Sequence, residues 1–199
     1  MKVPGIILIL LLASCNTTKK ATSRPVNAVI ETTSKPSKGG LTDPVSYMEQ
    51  QTIRIKHDVH GARVERAIEG IDITFDELGN GENFQLFIPG TSTLTSKGRE
   101  SLNNLIKILL DFPDTWLRIE SFTDDIGPAG FNMALTQRRA YSIANYLSQN
   151  KIPYHRLMIR WYGETRHKVK NVNAVARAEN RRIEIMVTAS VELKASLKK

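Results

Sequence analysis

Segments with the two-residue periodicity of β-strands alternate with helical segments after residue 70, and this order constrains the fold more than any other feature. The strand-like segments are residues 71–75, 84–88, 116–122, 157–162 and 182–188. Residues 94–112 carry the apolar stripe of a helix that Pro113 ends, and a second helix is predicted from a cap at Thr136 to Gln149. Strands and helices in this order fold as one sheet covered by helices on one face. The sequence therefore predicts an α/β (α+β) domain.

The first two strand-like segments predict a β-hairpin. Gly79-Asn80-Gly81 is typical of a tight turn, and it lies between residues 71–75 and 84–88. Before this hairpin the pattern is ambiguous, although Asp43 and Pro44 can begin a helix.

The N-terminus has the pattern of an export signal. The apolar residues 6–12 lead into Ala13-Ser14-Cys15, and Cys15 is the single cysteine of the chain. An apolar stretch followed by small residues before a cleavage site is typical of a signal peptide, and it is far shorter than the roughly 20 residues that span a bilayer. The pattern resembles the lipobox of bacterial lipoproteins, which implies cleavage before Cys15 and lipidation of its thiol. A free thiol in an ordinary signal peptide or membrane anchor is the alternative.

The composition after the cysteine is typical of a flexible tether. It is rich in Thr, Ser, Lys, Pro and Gly and poor in large apolar residues, so it cannot bury enough surface to offset the entropy lost on ordering. A random coil of this length has an r.m.s. reach of roughly 25–30 Å. The predicted organisation is a signal peptide at 1–14, a lipidated cysteine and linker at 15–42, a connecting segment at 43–69, the domain at 70–190 and a frayed basic tail at 191–199.

The formal net charge of +8 indicates an anionic partner. In a cytoplasmic protein it would suggest nucleic acid. Export argues against that partner, so we expect no nucleic acid and favour an anionic membrane surface or a carboxylate-bearing cell-wall polymer. Because a second cysteine is absent from the sequence, stability has to come from a packed core.

Two opposite charges flank the loop after strand 116–122. Asp124 follows the strand, and Arg139 lies in the first turn of the helix predicted from Thr136. A carboxylate and a bidentate guanidinium at one cleft suit a zwitterion, with an ammonium group on Asp124 and a carboxylate on Arg139. Backbone N–H groups at the helix start would add to the anion site. The alternative is an Asp124–Arg139 salt bridge that only ties the loop to the helix, and the spacing alone favours this alternative.

Several ordered motifs resemble the OmpA-like peptidoglycan-binding domain of Gram-negative envelopes. They are Thr123-Asp124-x-x-Gly127, Asn132-x-x-Leu135-Thr136-x-x-Arg139-Ala140, Tyr154-x-Arg156-Leu157, Tyr162-Gly163-Glu164 and Asn180-Arg181-Arg182-Ile183-Glu184-Ile185. The resemblance implies a mixed βαβαβ sheet with helices on one face. It also implies that Asp124 and Arg139 hold the amino and carboxylate ends of diaminopimelate in the stem peptide. This favours the zwitterion-binding site over the Asp124–Arg139 salt bridge. Thr123, Asn132 and Arg182 are the further candidate ligand-binding residues.

This chain departs from the family pattern beside the candidate cleft. Ser121-Phe122 stands where the family usually has Gly-His, so that a hydrogen-bonding side chain is replaced by an apolar one. Residues 62–66 and Glu69-Gly70-Ile71 resemble lipoproteins of the Bacteroidetes group within this family.

Neither catalysis nor a metal or other cofactor is expected. The neighbouring carboxylates Asp124 and Asp125 diverge, and no nucleophile–base set accompanies them. His57 and His60 lack further metal ligands nearby in the sequence.

These observations predict an outer-membrane lipoprotein, anchored through Cys15, whose periplasmic domain binds the peptidoglycan stem peptide non-covalently. Asn16 favours the outer membrane, because an aspartate after the lipidated cysteine marks inner-membrane retention in enterobacterial lipoproteins. The main alternative is an interaction module of an envelope secretion or motility complex, which would dock on other envelope proteins.

Overall fold

A computed structural model describes residues 44–78 and 84–196. The predicted signal peptide, Cys15 and the tether lie outside the described residues, as does the predicted turn at Gly79-Asn80-Gly81. The strands of the described part are β1 (Arg63–Arg66), β2 (Gly70–Asp76), β3 (Thr115–Phe122), β4 (Leu157–Trp161) and β5 (Arg182–Ala189). Its helices are α1 (Pro44–Asp58), α2 (Ser96–Asp111), α3 (Ala129–Gln149), α4 (Ala174–Asn180) and α5 (Val191–Ser196), with a 3-10 turn at Tyr154–Arg156.

The strands form one mixed sheet in the order β1-β2-β5-β3-β4. Strand β5 lies in the middle and pairs antiparallel with both β2 and β3, whereas β3 and β4 are parallel. The predicted α/β class and mixed sheet are therefore confirmed.

One face of the sheet carries the core and the long helices. Alternate residues of the central strands are buried there, among them Ile73, Ile119 and Ile185, together with the apolar stripes of α2 and α3. The residues between them point to the other face and are mostly half-buried or exposed. The predicted stripe of α2 is correct except at Leu110, which is exposed, while Ile108 is buried.

The predicted hairpin between residues 71–75 and 84–88 is wrong. Both edges of β2 are occupied, one by β1 and the other by β5, so a third strand has no place beside it. The observed hairpin joins β1 to β2. Residues 84–88 are instead irregular, with an isolated antiparallel bridge between Phe87 and Leu94. They lie against the start of α2, where Thr95 donates its N–H to the Leu86 carbonyl over 3.0 Å. The side chains of Phe84, Leu86 and Phe87 still enter the core, whereas Ile88 is exposed, and this burial explains why the segment has a strand-like pattern.

The segments expected to flank the domain contribute to its body. Residues 43–69, interpreted as a connecting segment, supply α1 and the edge strand β1, and Ile55 of α1 is fully buried in the core. The tail expected to fray begins with α5, which Ser190 caps by accepting the Leu193 N–H over 3.1 Å.

The second long helix begins seven residues before the predicted cap at Thr136. Pro128 precedes α3, which starts at Ala129, so Thr136 lies inside the helix. Its hydroxyl donates to a carbonyl of the preceding turn, with the Met133 oxygen at 2.9 Å and the Asn132 oxygen at 3.0 Å. Arg139 is consequently well inside the helix rather than in its first turn.

Candidate functional site

The site residues lie at the edge of the sheet where three strands end and one begins. Asp76 at the end of β2 and Phe122 at the end of β3 both pair with Arg182 at the start of β5. Strand β4 ends beside β3, with Ser121 opposite Trp161. Because β5 runs antiparallel to its neighbours, residues from four distant parts of the sequence meet at this edge.

Asp124 forms an ion pair with Arg181, which also pairs with Glu77. The Arg181 Nη1 lies 2.5 Å from Asp124 Oδ2, and its Nη2 lies 2.5 Å from Glu77 Oε2. The other carboxylate oxygen of Asp124 accepts the backbone N–H of Ile126 over 3.2 Å. Burial lowers the pKa of Arg181, but its bonds to Glu77 and Asp124 outweigh this effect and raise that pKa. We refer to Glu77, Arg181 and Asp124 as the ion-pair triad.

Arg139 reaches the same cleft from α3. Its Nε donates to the Thr91 carbonyl over 2.8 Å, and its guanidinium carbon lies 5.2 Å from the centroid of the Phe87 ring. Burial lowers the pKa of Arg139, and the nearby carboxylates of Glu77 and Asp124 partly offset this effect. Glu77 and Arg181 line the cleft around Arg139.

The structure contradicts the direct salt bridge between Asp124 and Arg139. Within the described part of the chain, Asp124 pairs with Arg181, and Arg139 is held by a carbonyl and a ring. The predicted contribution of the helix start is also wrong, because Arg139 is ten residues beyond the first residue of α3, roughly 15 Å along the axis. Asp124 and Arg139 thus share one charged region without neutralising each other directly.

Asn132 and Thr123 hold the loop that carries Asp124. Asn132 donates its side-chain amide to Glu164 Oε2 over 2.7 Å and to the Ile126 carbonyl over 3.1 Å. Thr123 donates its backbone N–H to the Gly163 carbonyl over 2.9 Å. Its buried hydroxyl has no hydrogen-bond partner among the described residues. The placement of these two predicted site residues next to Asp124 agrees with the motif order.

Gly163 joins the end of β4 to the two neighbouring elements. Its N–H donates to the Thr136 hydroxyl over 3.0 Å, and its carbonyl accepts from Thr123. The backbone has φ +54, and a Cβ would lie 3.1 Å from the Met133 nitrogen. A side chain at residue 163 would therefore push α3 away from the sheet.

Arg182 is occupied by protein partners on the outer side of the sheet. It donates to Glu184 Oε1 over 2.6 Å and lies above the Phe122 ring, which stacks on Tyr162. Arg166 covers the other ring, with its guanidinium carbon 3.9 Å from the Tyr162 centroid. We refer to Arg182, Phe122, Tyr162 and Arg166 as the cation–π stack. Phe122, which stands in place of the family's usual His, thus serves packing.

Glu77 and the role of Arg181 were not predicted from the sequence. Arg181 belongs to the Asn180-Arg181-Arg182 motif, but nothing local indicated that its partner is Asp124, because the two residues are far apart in the chain. Glu77 follows β2 in a segment without a recognisable motif. Their meeting depends on the antiparallel insertion of β5 between β2 and β3.

Two negative findings apply to residues 44–78 and 84–196. None of the helices they form is long and apolar enough to cross a bilayer. Within the same ranges, no three His, Cys, Asp or Glu side chains come together as a metal site.

Comparison with known proteins identifies relatives in the bacterial envelope. Residues 86–181 match the sequence model of the OmpA family. The chain is 28% identical over 142 residues to YiaD of Escherichia coli, described as a probable lipoprotein, in a match covering 71% of this chain and 63% of YiaD. It is 30% identical over 105 residues to the peptidoglycan-associated lipoprotein of Legionella pneumophila, covering 53% of this chain and 60% of that protein. The chain therefore spans less than two thirds of either relative.

The fold is shared with solved structures. A MotB-like protein from Desulfovibrio vulgaris superposes with a TM-score of 0.63 at 20% identity, over 73% of this chain and 93% of the other. At this identity the similarity shows the common fold alone.

Proposed function

We propose that the domain whose residues 86–181 match the OmpA family binds the peptidoglycan stem peptide non-covalently and without catalysis. In this proposal Asp124 binds the ammonium group of a diaminopimelate side chain, and Arg139 binds its carboxylate. The relative named as a peptidoglycan-associated lipoprotein supports the class of ligand. The chain is then an outer-membrane lipoprotein whose lipid on Cys15 and whose domain hold membrane and cell wall together.

The observation that carries the proposal is the pair of nearly buried opposite charges that do not neutralise each other. Asp124 is 5% exposed and Arg139 is 8% exposed, and each is built into the same edge of the sheet. Burying a charge is costly unless it is paired. Among the described residues, the close partners of Arg139 are a carbonyl and an aromatic face, so a ligand carboxylate would supply the missing anion.

The protonation states agree with this assignment. Although burial lowers the pKa of Arg139, a guanidinium stays protonated throughout the physiological pH range. The hydroxyl of Thr123 lacks a hydrogen-bond partner within residues 44–78 and 84–196, and in this proposal it offers a further hydrogen bond to a polar ligand group.

A sacculus pull-down with the detergent-solubilised full chain tests the proposal. The wild-type chain is expected to sediment with purified sacculi and to be released by free diaminopimelate. Binding that free diaminopimelate does not displace would contradict the stem-peptide assignment. A chain that does not bind sacculi would favour the alternative, a protein-docking module of an envelope complex.

Alanine variants test the two residues separately. Asp124→Ala and Arg139→Ala should each weaken sacculus binding at least roughly thirtyfold, because truncating one partner of a desolvated charge pair costs about 2–5 kcal/mol. The losses should be non-additive, since both residues hold one zwitterion. The matched controls are their exposed neighbours, Asp125→Ala and Arg138→Ala, which should bind like the wild type. If these variants have a lower melting temperature but bind sacculi normally while folded, Asp124 and Arg139 stabilise the fold and do not bind the ligand.

A further inference from the structure

We propose that Glu77 is a positioning residue that makes Asp124 available to an ammonium ligand by retaining Arg181. This inference rests on the proposed function and adds a residue to it. In the free protein Arg181 occupies Asp124, so the ammonium site is filled by the chain's own cation. Binding is then an exchange of cations on Asp124, and Glu77 holds the cation that leaves.

The geometry of the ion-pair triad supports this exchange. The two Nη atoms of Arg181 serve different carboxylates, each at 2.5 Å, so one bond can break while the other stays. The backbone of Arg181 is anchored at the end of α4, where its N–H donates to the Arg177 carbonyl over 3.0 Å. Only the side chain therefore has to move, and its exposed fraction of 26% leaves it room toward solvent.

Both carboxylate oxygens of Asp124 have a partner in the free protein. Its Oδ1 accepts the Ile126 N–H, and its Oδ2 pairs with Arg181. An ammonium group that binds Asp124 Oδ2 competes directly with Arg181 Nη1. Asp124 is nearly buried, and solvent screens this competition only weakly.

Glu77 determines what happens to Arg181 after this exchange. With Glu77 present, the displaced guanidinium keeps one ion pair, and the number of ion pairs in the site is unchanged. Without Glu77, the displaced guanidinium would be unpaired next to the incoming ammonium and to Arg139. Neighbouring like charges repel each other. Arg181 would therefore remain paired with Asp124 and exclude the ligand.

Glu77 lies outside the part of the chain that matches the OmpA family. The family match begins at residue 86, whereas Glu77 directly follows β2. The proposed selectivity for an ammonium group therefore depends in part on the segment that precedes the matched region.

Titration of the detergent-solubilised full chain with two ligands tests the inference. Diaminopimelate carries amino groups, whereas pimelate has the same two carboxylates and no amine. Glu77→Gln should weaken diaminopimelate binding about fivefold, the value of a half-exposed ion pair. It should not weaken pimelate binding, because it removes a negative charge from the cleft that contains Arg139. Glu100→Gln, which removes the same charge from an exposed position on α2, should bind both ligands like the wild type.

A second variant separates the exchange from direct contact. In an Arg181→Gln background, Glu77→Gln should cause no further loss of diaminopimelate binding, because the Arg181 guanidinium is no longer present to be retained. An equal loss in both backgrounds would show that Glu77 acts without Arg181 and would overturn the inference. So would a Glu77→Gln variant that loses pimelate and diaminopimelate binding equally, since that is the result of a purely structural defect.

The same titrations distinguish the inference from the proposed function. A wild-type chain that binds neither sacculi nor diaminopimelate overturns both. A wild-type chain that binds, together with an inactive Asp124→Ala variant and a fully active Glu77→Gln variant, overturns only the role of Glu77.

Discussion

Arg156 donates its Nε to the backbone carbonyl of Thr115 over 2.7 Å, from a position that is 6% exposed. Its other nitrogens donate to the carbonyls of Leu109 and Phe112 at the end of α2, at 3.2 and 3.1 Å. These carbonyls belong to the last turn of a helix and the residue after it, where backbone acceptors lack helical partners. Arg156 thus joins the end of α2 to the start of β3. We therefore interpret Arg156 in the motif Tyr154-x-Arg156-Leu157 as a residue that stabilises the fold.

Arg156→Ala should lower the free energy of unfolding by about 3 kcal/mol, because it leaves several buried carbonyls unpaired. Arg156→Lys should be intermediate, since one ammonium cannot reproduce the planar fork. Denaturant unfolding measures both effects. The matched control is Arg160→Ala, which truncates an exposed arginine of β4. Equal unfolding midpoints for the Arg156→Ala and Arg160→Ala chains would contradict this role.

Phe122→His should reduce stability by about 1 kcal/mol and leave sacculus binding unchanged. The ring lies between Arg182 and Tyr162 in the cation–π stack, with centroid-to-centroid distance 5.1 Å to Tyr162. A smaller, more polar ring loses part of this packing. Thermal melting and sacculus binding on the same samples provide the measurement. A clear gain in binding would show that a hydrogen-bonding side chain at residue 122 reaches the ligand after all.

Stability should fall between about pH 10 and pH 12 because of Tyr47. Burial raises its pKa to about 12, against a backbone hydrogen bond from Asp114 that lowers it. The folded state holds the phenol proton of Tyr47 more tightly than the unfolded state does. The contribution of this proton to the free energy of unfolding is therefore complete below pH 10 and is lost as pH rises through 12. The loss amounts to about 2–3 kcal/mol. Denaturant unfolding across this range should show it in the wild type and in Tyr154→Phe, an exposed control, but not in Tyr47→Phe.

Cys15→Ala should abolish acylation and release the protein from the membrane fraction while its domain stays folded. The reason is that the proposed anchor is a lipid on this thiol. Metabolic labelling with a fatty acid and membrane fractionation measure the two effects, and circular dichroism monitors the fold. A variant that stays in the membrane until detergent is added, with an unlabelled wild type, would refute the lipid anchor.

Local sequence patterns predicted those strands and helices that bury one face, because burial of one face produces a regular spacing of apolar residues. Alternation identified β3 and β5, because their apolar residues face the core while Trp116 and Glu184 do not. The pairing of β2 was not predictable in this way. Its partner, β5, lies more than a hundred residues later, and the register between them depends on tertiary packing.

Residue preferences also misplaced the start of α3. Thr136 is a good capping residue by type, but its hydroxyl bonds to the preceding turn, as threonine does inside helices. The segment Ala129-Gly130-Phe131-Asn132 is a poor helix former by propensity, and packing overrides this. The candidate site shows the same limit. Asp124 and Arg139 were identified from their motifs, whereas the pairing of Arg181 with Asp124 follows from the topology.

The central position of β5 has a consequence for the order in which this protein can fold. Strand β5 is the last strand in the sequence, yet it is the only connection between the β1–β2 pair and the β3–β4 pair within the described sheet. The two halves of the sheet cannot join until residues 182–189 have been synthesised. Such long-range pairing is slow to form. The β1–β2 and β3–β4 pairs thus stay separate until residues 182–189 are available to pair with both.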